Sequence, residues 1–87
     1  MIGMLRGHVE SVDAASAIIE VGGVGYEVRM PSADLASMHA GQEIKVYTSL
    51  NVSQDAITLF GFGTLASKRM FLQLQKVTVN RTKFSFP

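Results

Sequence analysis

Residues 17–30, Ala17-Ile18-Ile19-Glu20-Val21-Gly22-Gly23-Val24-Gly25-Tyr26-Glu27-Val28-Arg29-Met30, decide how the chain folds. Residues 17–21 are rich in β-branched side chains, which pack well on a pleated surface. Gly22-Gly23 accepts positive φ at both positions without a Cβ penalty, as a two-residue hairpin demands. Beyond it the pattern alternates, with Val24, Tyr26, Val28 and Met30 on one face and Glu27 and Arg29 on the other. Pro31 ends the ladder because it has no N–H to donate. A tight antiparallel hairpin follows. A phosphate-cradling reading of Gly22-Gly23-Val24-Gly25 fails, because no helix follows and no Gly-Lys-Ser/Thr is present.

The flanks extend this pattern. Residues 2–12 carry Ile2, Met4, Val9 and Val12 between polar residues, interrupted by Gly3 and Gly7. Glycines within a strand mark a bend or bulge, as a strongly coiled small barrel needs. Asp13-Ala14-Ala15-Ser16 is a turn. Residues 31–39 predict a short helical turn capped by Ser32, with Leu35 and Met38 on its inner side. Residues 42–50 alternate again, with Ile44, Val46, Thr48 and Leu50 against Lys45, Tyr47 and Ser49. Residues 51–55 form a polar connection, and residues 56–62 a fifth strand. The fold class is all-β. Residues 1–62 are expected to form a five-stranded OB-fold Greek-key barrel, with a short helical turn between strands three and four.

The pattern changes at Gly63-Thr64, where Thr64 is a candidate N-cap. Residues 63–77 predict one C-terminal helix. At 100° per residue Ala66, Met70, Leu74 and Val77 share an inward stripe with Phe71 at its edge. Leu65 and Leu72 fall on the opposite side beside Lys68, Arg69 and Lys76. A helix with two apolar faces packs on two things, and a small barrel covers one. Residues 78–87 show no helical stripe and are expected to form an irregular tail.

Composition sets the limits. Eighty-seven residues allow one small domain. No Cys is present, which removes disulfides and thiolate metal sites and leaves oligomerisation or a neighbouring domain as the further stabiliser. The net charge of +1 hides a split. Residues 1–62 hold three basic and seven acidic residues, a net −4, whereas residues 63–87 hold five basic residues and no acid. No run approaches the roughly 18 apolar residues of a membrane span. No signal-peptide pattern opens the chain. A cytoplasmic setting without membrane attachment is expected.

No enzyme signature stands out, so no catalytic residue is assigned. His8 and His39 lack ligand partners at metal spacing, and no metal or cofactor is expected. Glu20 and Glu27 flank the hairpin but read as solvated positions rather than an acid/base pair. Asp55 lies in the polar turn Ser53-Gln54-Asp55, where Asx-turn chemistry alone accounts for an Asp. Lys68, Arg69 and Lys76 are candidate phosphate contacts or a solvated helix face. No aromatic strip interleaved with Lys/Arg marks strands two and three. That, with the −4 charge, argues against a general single-strand or oligosaccharide binder.

Three stretches together resemble one family: Met1-Ile2-Gly3-Met4-Leu5-Arg6-Gly7, then Ile19-Glu20-Val21-Gly22-Gly23-Val24-Gly25-Tyr26-Glu27-Val28, then Leu59-Phe60-Gly61-Phe62. The chain from residue 1 to about residue 77 is similar to the N-terminal part of the RuvA family, the Holliday-junction-binding subunits of bacterial branch-migration complexes. The resemblance implies a non-catalytic DNA-binding subunit for recombination, repair and the SOS response, with four-way junction DNA as its ligand. It implies a homotetramer, or an octamer, working with the ATPase RuvB and the endonuclease RuvC. It makes the turn between strands four and five an acidic pin at the junction centre, here Gln54 and Asp55, with Gln replacing one of the usual two acids. It makes residues 63–77 the first helix of a helix-hairpin-helix domain, with Leu65 and Leu72 as inter-domain or subunit contacts. Residues 78–87 depart from the Gly-Ile/Val-Gly-Pro-Lys pattern expected there, which places the rest of that domain, and the third domain that binds RuvB, outside this chain. RuvB recruitment is therefore not expected of it. The alternative is an OB-shaped protein–protein assembly module without DNA binding of its own.

Overall fold

A computed structural model describes the backbone of residues 1–85 and the side chains of residues 1–76. Five strands close on one another: β1 (Met4–Val12), β2 (Ser16–Val21), β3 (Val24–Arg29), β4 (Glu43–Val52) and β5 (Ile57–Phe62). Their order around the barrel is β1-β2-β3-β5-β4, with β4 returning to β1. All pairings are antiparallel except β3 with β5, which is parallel. A parallel pair needs a long crossover, and residues 30–56 supply it through the short helix α1 (Ser32–Ala36) and β4. The all-β barrel expected from the sequence is the observed fold and is consistent with an OB-fold.

The hairpin at residues 17–30 forms as expected. Gly22 and Gly23 take φ of 57° and 88°, and the register runs from Ser16↔Arg29 to Val21↔Val24. A carboxylate adds to the turn, since the Gly23 N–H donates to Glu20 Oε2 at 2.6 Å. Alternation then builds the core. Leu5 and Val9 from β1, Ala17 and Ile19 from β2, Val28 from β3, Val46 from β4 and Leu59 from β5 are all buried. Leu35 and Met38 cover one end from the α1 side, as their spacing predicts.

Thr48 lies on the inward face of β4 and is the one buried polar side chain among the described residues. Its hydroxyl donates to the Ile2 carbonyl at 2.8 Å, and its backbone N–H donates to the Gly3 carbonyl at 3.0 Å. A buried hydroxyl without a partner costs about 1–3 kcal/mol. Here the partner is the N-terminal segment, which the bond ties down beside β4.

Four local expectations change. The inward set of β1 is Leu5, Gly7 and Val9, so Met4 and Val12 point outward. Gly7 is needed for space, because a Cβ there would overlap the Glu20 carbonyl oxygen. The bulge sits between Val9 and Ser11 instead of at a glycine. Ser32 does not cap α1. Pro31, at φ −57° and ψ 146°, takes the cap position without a side-chain bond, and its carbonyl accepts from the N–H groups of Asp34 and Leu35. Asn51 and Val52 belong to β4, so the connection to β5 is shorter than residues 51–55.

The largest departure concerns α2 (Leu65–Ser85). Thr64 caps it as expected, accepting the Ser67 N–H at 3.1 Å. The Gly63 N–H donates to Asp34 Oδ2 at 3.2 Å, tying the barrel exit to α1. The inward stripe is not Ala66, Met70 and Leu74. Those positions are exposed, Met70 at 65% and Leu74 at 59%. Phe71 faces the barrel instead, its ring centroid 5.0 Å from both Phe60 and Phe62. Two outward aromatics on β5 make a slot that one ring fills, and an aromatic contact outweighs the average apolarity of a stripe with no partner beneath it. Val77 lies outside the described side chains. Helix also continues to Ser85, where an irregular tail from residue 78 was expected. No Gly or Pro stands between Thr64 and Pro87, and adding a residue to a formed helix costs far less than starting one. The end of the expected tail, residues 86–87, lies outside the described residues.

Two stability outcomes follow from this packing. Gly61 on β5 lies against Val28, and a Cβ there would overlap the Val28 side chain. Gly61→Ala should destabilise by about 2 kcal/mol and lower Tm by roughly 10 °C in a thermal melt; an unchanged Tm contradicts the close approach. Phe71→Ala should leave the barrel folded but release α2. Amide exchange should accelerate at least about tenfold in residues 65–76 and stay slow in β1 and β2. Equal acceleration everywhere would show that Phe71 supports the barrel itself.

Candidate nucleic-acid interface

The β4–β5 hairpin presents Gln54 and Asp55. Its ladder ends at the pair Val52↔Ile57. Beyond that pair the Ser53 N–H donates to the Ala56 carbonyl at 2.8 Å. Ser53 Oγ accepts the Ala56 N–H at 3.2 Å and donates to the Ala56 carbonyl at 3.1 Å. Ser53 therefore supplies the turn's side-chain chemistry, although an Asp in such a turn is explained well enough by Asx bonding on sequence alone. Among the described residues Asp55 takes no part in closing the turn. Gln54 and Asp55 both stand exposed at the tip.

Val52 and Ile57, beneath the tip, are 66% and 72% exposed. By sequence Val52 falls in the polar connection 51–55 and Ile57 in the fifth strand, with no functional role for either. Two β-branched residues in matched positions around a four-residue polar turn are the signal that identifies this exposed pair. They form an exposed apolar pair at the base of the turn.

The helix cations occupy different environments. Lys68 is half-buried, whereas Arg69 and Lys76 are exposed. Arg69, Leu72, Gln73 and Lys76 line one shallow groove along α2. Leu65, 40% exposed, begins the same stripe, and Leu72 is half-buried. The helix and the hairpin share one side of the barrel. Gln75 lines a cleft with Asn51, Val52, Ser53 and Thr58 at the base of the hairpin. The structure thus brings the basic helix alongside the stem of the acid-tipped turn.

Other candidates find structural places. Glu20 pairs across the sheet with Gly25, and Glu27 with Ile18, so the two carboxylates do not face each other. Glu27 Oε2 lies 3.5 Å from Ser16 Oγ. The backbone N–H of His39 donates to Gln42 Oε1 at 3.0 Å. His8 pairs with Glu20 on one side and Glu43 on the other. Among the described residues no group of three or more His, Cys, Asp or Glu could hold a metal ion, and no helix is long and apolar enough to cross a membrane.

Comparison with known proteins gives the family of the chain. Residues 1–61 match the family profile described as the RuvA N-terminal domain. A protein of Bifidobacterium adolescentis named Holliday junction branch migration complex subunit RuvA is 97% identical over 78 residues. Proteins of the same name are 68% identical in Bifidobacterium animalis subsp. lactis and 45% identical in Corynebacterium diphtheriae. Each alignment covers 90% of this chain and 38% of the relative, so the chain spans about 38% of the length of these curated relatives. The profile match runs through all five strands up to the penultimate residue of β5, and the chain belongs to the RuvA N-terminal domain family.

Proposed function

We propose that this chain is the barrel part of a non-catalytic subunit that binds four-way DNA junctions and assembles as a homotetramer or octamer. In that assembly it holds the junction open while a RuvB-type ATPase drives branch migration, in recombination and repair and in the cytoplasm. Family membership supports this reading. The single geometric observation that carries it is the exposed Gln54-Asp55 tip, raised on a hairpin whose closure Ser53 performs.

The physical role of the tip follows from its charge. A carboxylate and a phosphate about 6 Å apart in water repel by roughly 0.7 kcal/mol. One such contact is small, but four copies around a centre bring four carboxylates onto the crossover. Strand phosphates are then pushed outward, where Arg69 and Lys76 can neutralise them. Lys68 contributes less because it is half-buried. Gln54 supplies hydrogen-bonding groups but no charge, so Asp55 carries the repulsion alone. Residues 63–77 serve as the first helix of a helix-hairpin-helix domain, with Leu65 and Leu72 facing that domain or another subunit. Contacts with RuvB and RuvC belong to the remainder of the longer proteins.

A second reading has its own observation. Met70 and Leu74 are exposed on one flank of α2, as an assembly module without DNA binding requires. A gel-shift titration against a four-way junction and a linear duplex of equal length decides between the two. The junction should bind about tenfold or more tightly, with affinity falling steeply as salt rises. Equal or absent binding, with an oligomer in light scattering, leaves the assembly module standing instead. Asp55→Asn should tighten binding to both DNAs about threefold at low salt, and less at physiological ionic strength, where the screening length is near 8 Å. Weaker binding would show that Asp55 makes a favourable contact.

A further inference from the structure

Residues 1–62 hold three basic side chains, and the fold sets two of them directly opposite each other. Arg6 on β1 pairs with Lys45 on β4, and both are exposed on the outer face of the barrel. They are distant in sequence and meet only through the β1–β4 ladder. Cross-strand partners of like charge repel, because their Cβ atoms lie about 5 Å apart. An acid opposite either cation would remove that repulsion. The one acid of this ladder, Glu43, stands opposite His8 instead. Lys45 turns along its own strand, with Nζ 5.4 Å from the centroid of the Tyr47 ring. That contact positions the ammonium without neutralising it.

The surroundings select a ligand. Arg6, Glu43, Ile44 and Lys45 line a shallow groove. Glu43 closes one end of it to anions, whereas Met4 and Tyr47, paired beyond the two cations, carry no charge. An anion is therefore held at Arg6 and Lys45. A guanidinium presents a planar fork of donors that matches phosphate, and the ammonium beside it adds a compact point charge. Asp55 does not oppose this. Lys45 lies near the start of β4 and the Gln54-Asp55 turn follows its end, about 24 Å away along an extended strand. The screening length at physiological salt is only about 8 Å. Helix α2 packs against β4 as well, so its cations and this pair flank one strand.

We propose that Arg6 and Lys45 form a phosphate-binding site on the barrel wall, whose ligand is a phosphodiester of DNA. The site rests on the DNA-binding part of the proposed function and adds a contact that the helix does not supply. A barrel of net negative charge then holds the backbone at one place and repels it at another. Such a contact fixes position and carries no base sequence.

The double variant Arg6→Gln with Lys45→Gln tests the site in the full chain. Removing a like-charge pair relieves repulsion, so Tm should not fall. In gel-shift titrations over a salt series, affinity for a four-way junction should drop about fivefold at low salt. The slope of log affinity against log salt should become shallower by about 0.9, the value for one phosphate. Lys45→Arg keeps the charge and should keep the slope. In a parallel titration with inorganic phosphate, amide chemical shifts of residues 4–8 and 43–47 should move in the unmodified chain and not in the double variant. An unchanged slope with junction binding intact overturns DNA as the ligand and leaves the proposed function standing; amide shifts that still move there mark free phosphate as the ligand instead. A chain that binds no DNA at all overturns the proposed function as well.

Discussion

The fold depends on a short parallel seam. Strands β3 and β5 meet only at Val28↔Leu59 and Arg29↔Phe60, yet this contact closes the barrel. Antiparallel neighbours can be made by local hairpins, but this pair joins strands separated by α1 and β4. Loop closure must be met before the contact stabilises anything. Gly61 makes the approach possible, since Val28 occupies the space a side chain would need. Once the seam closes, Leu59 points into the core and Phe60 and Phe62 point away from it. The same two rings then hold Phe71, so the position of α2 is a consequence of barrel closure.

The two ends of β5 serve different purposes. At its start, the turn from β4 lifts Gln54 and Asp55 above an exposed apolar pair. At its end, Gly63 binds Asp34 of α1 and Thr64 caps the helix. The exposed carboxylate of Asp55 and the cations of the helix are thus attached to opposite ends of one strand of six residues. Residues 1–62, with a net charge of −4, form the barrel, whereas the helix carries cations and no acid.

Much of the barrel was legible from local chemistry. The Gly22-Gly23 hairpin, the inward alternation of β4 and the burial of Leu35 and Met38 all follow from short-range rules. Periodicity and turn chemistry act over a few residues, so a sequence displays them directly. Alternation failed where an inserted residue broke it, at the bulge in β1. It also gave Leu5 no weight beside the more conspicuous Met4. The position of Gln54 and Asp55 could be read, but the agent closing their turn could not, because Ser53 and Asp55 are both competent turn residues.

The helix marks the boundary between what sequence determines and what tertiary structure decides. Sequence alone determined that a helix begins after Thr64, that it is basic, and that it carries more apolar surface than one small barrel covers. These are properties of composition and local spacing. Which face it buries was decided by Phe60 and Phe62, residues on another element that come together only when β5 is in place. Helical averaging favoured Met70 and Leu74, whereas the assembled barrel offered a slot for one aromatic ring, and shape prevailed over mean hydropathy. Likewise, composition showed that the charge is divided between barrel and helix, but only closure of the barrel decided which strands the basic helix meets, β4 and β5, because that neighbourhood is a property of strand order.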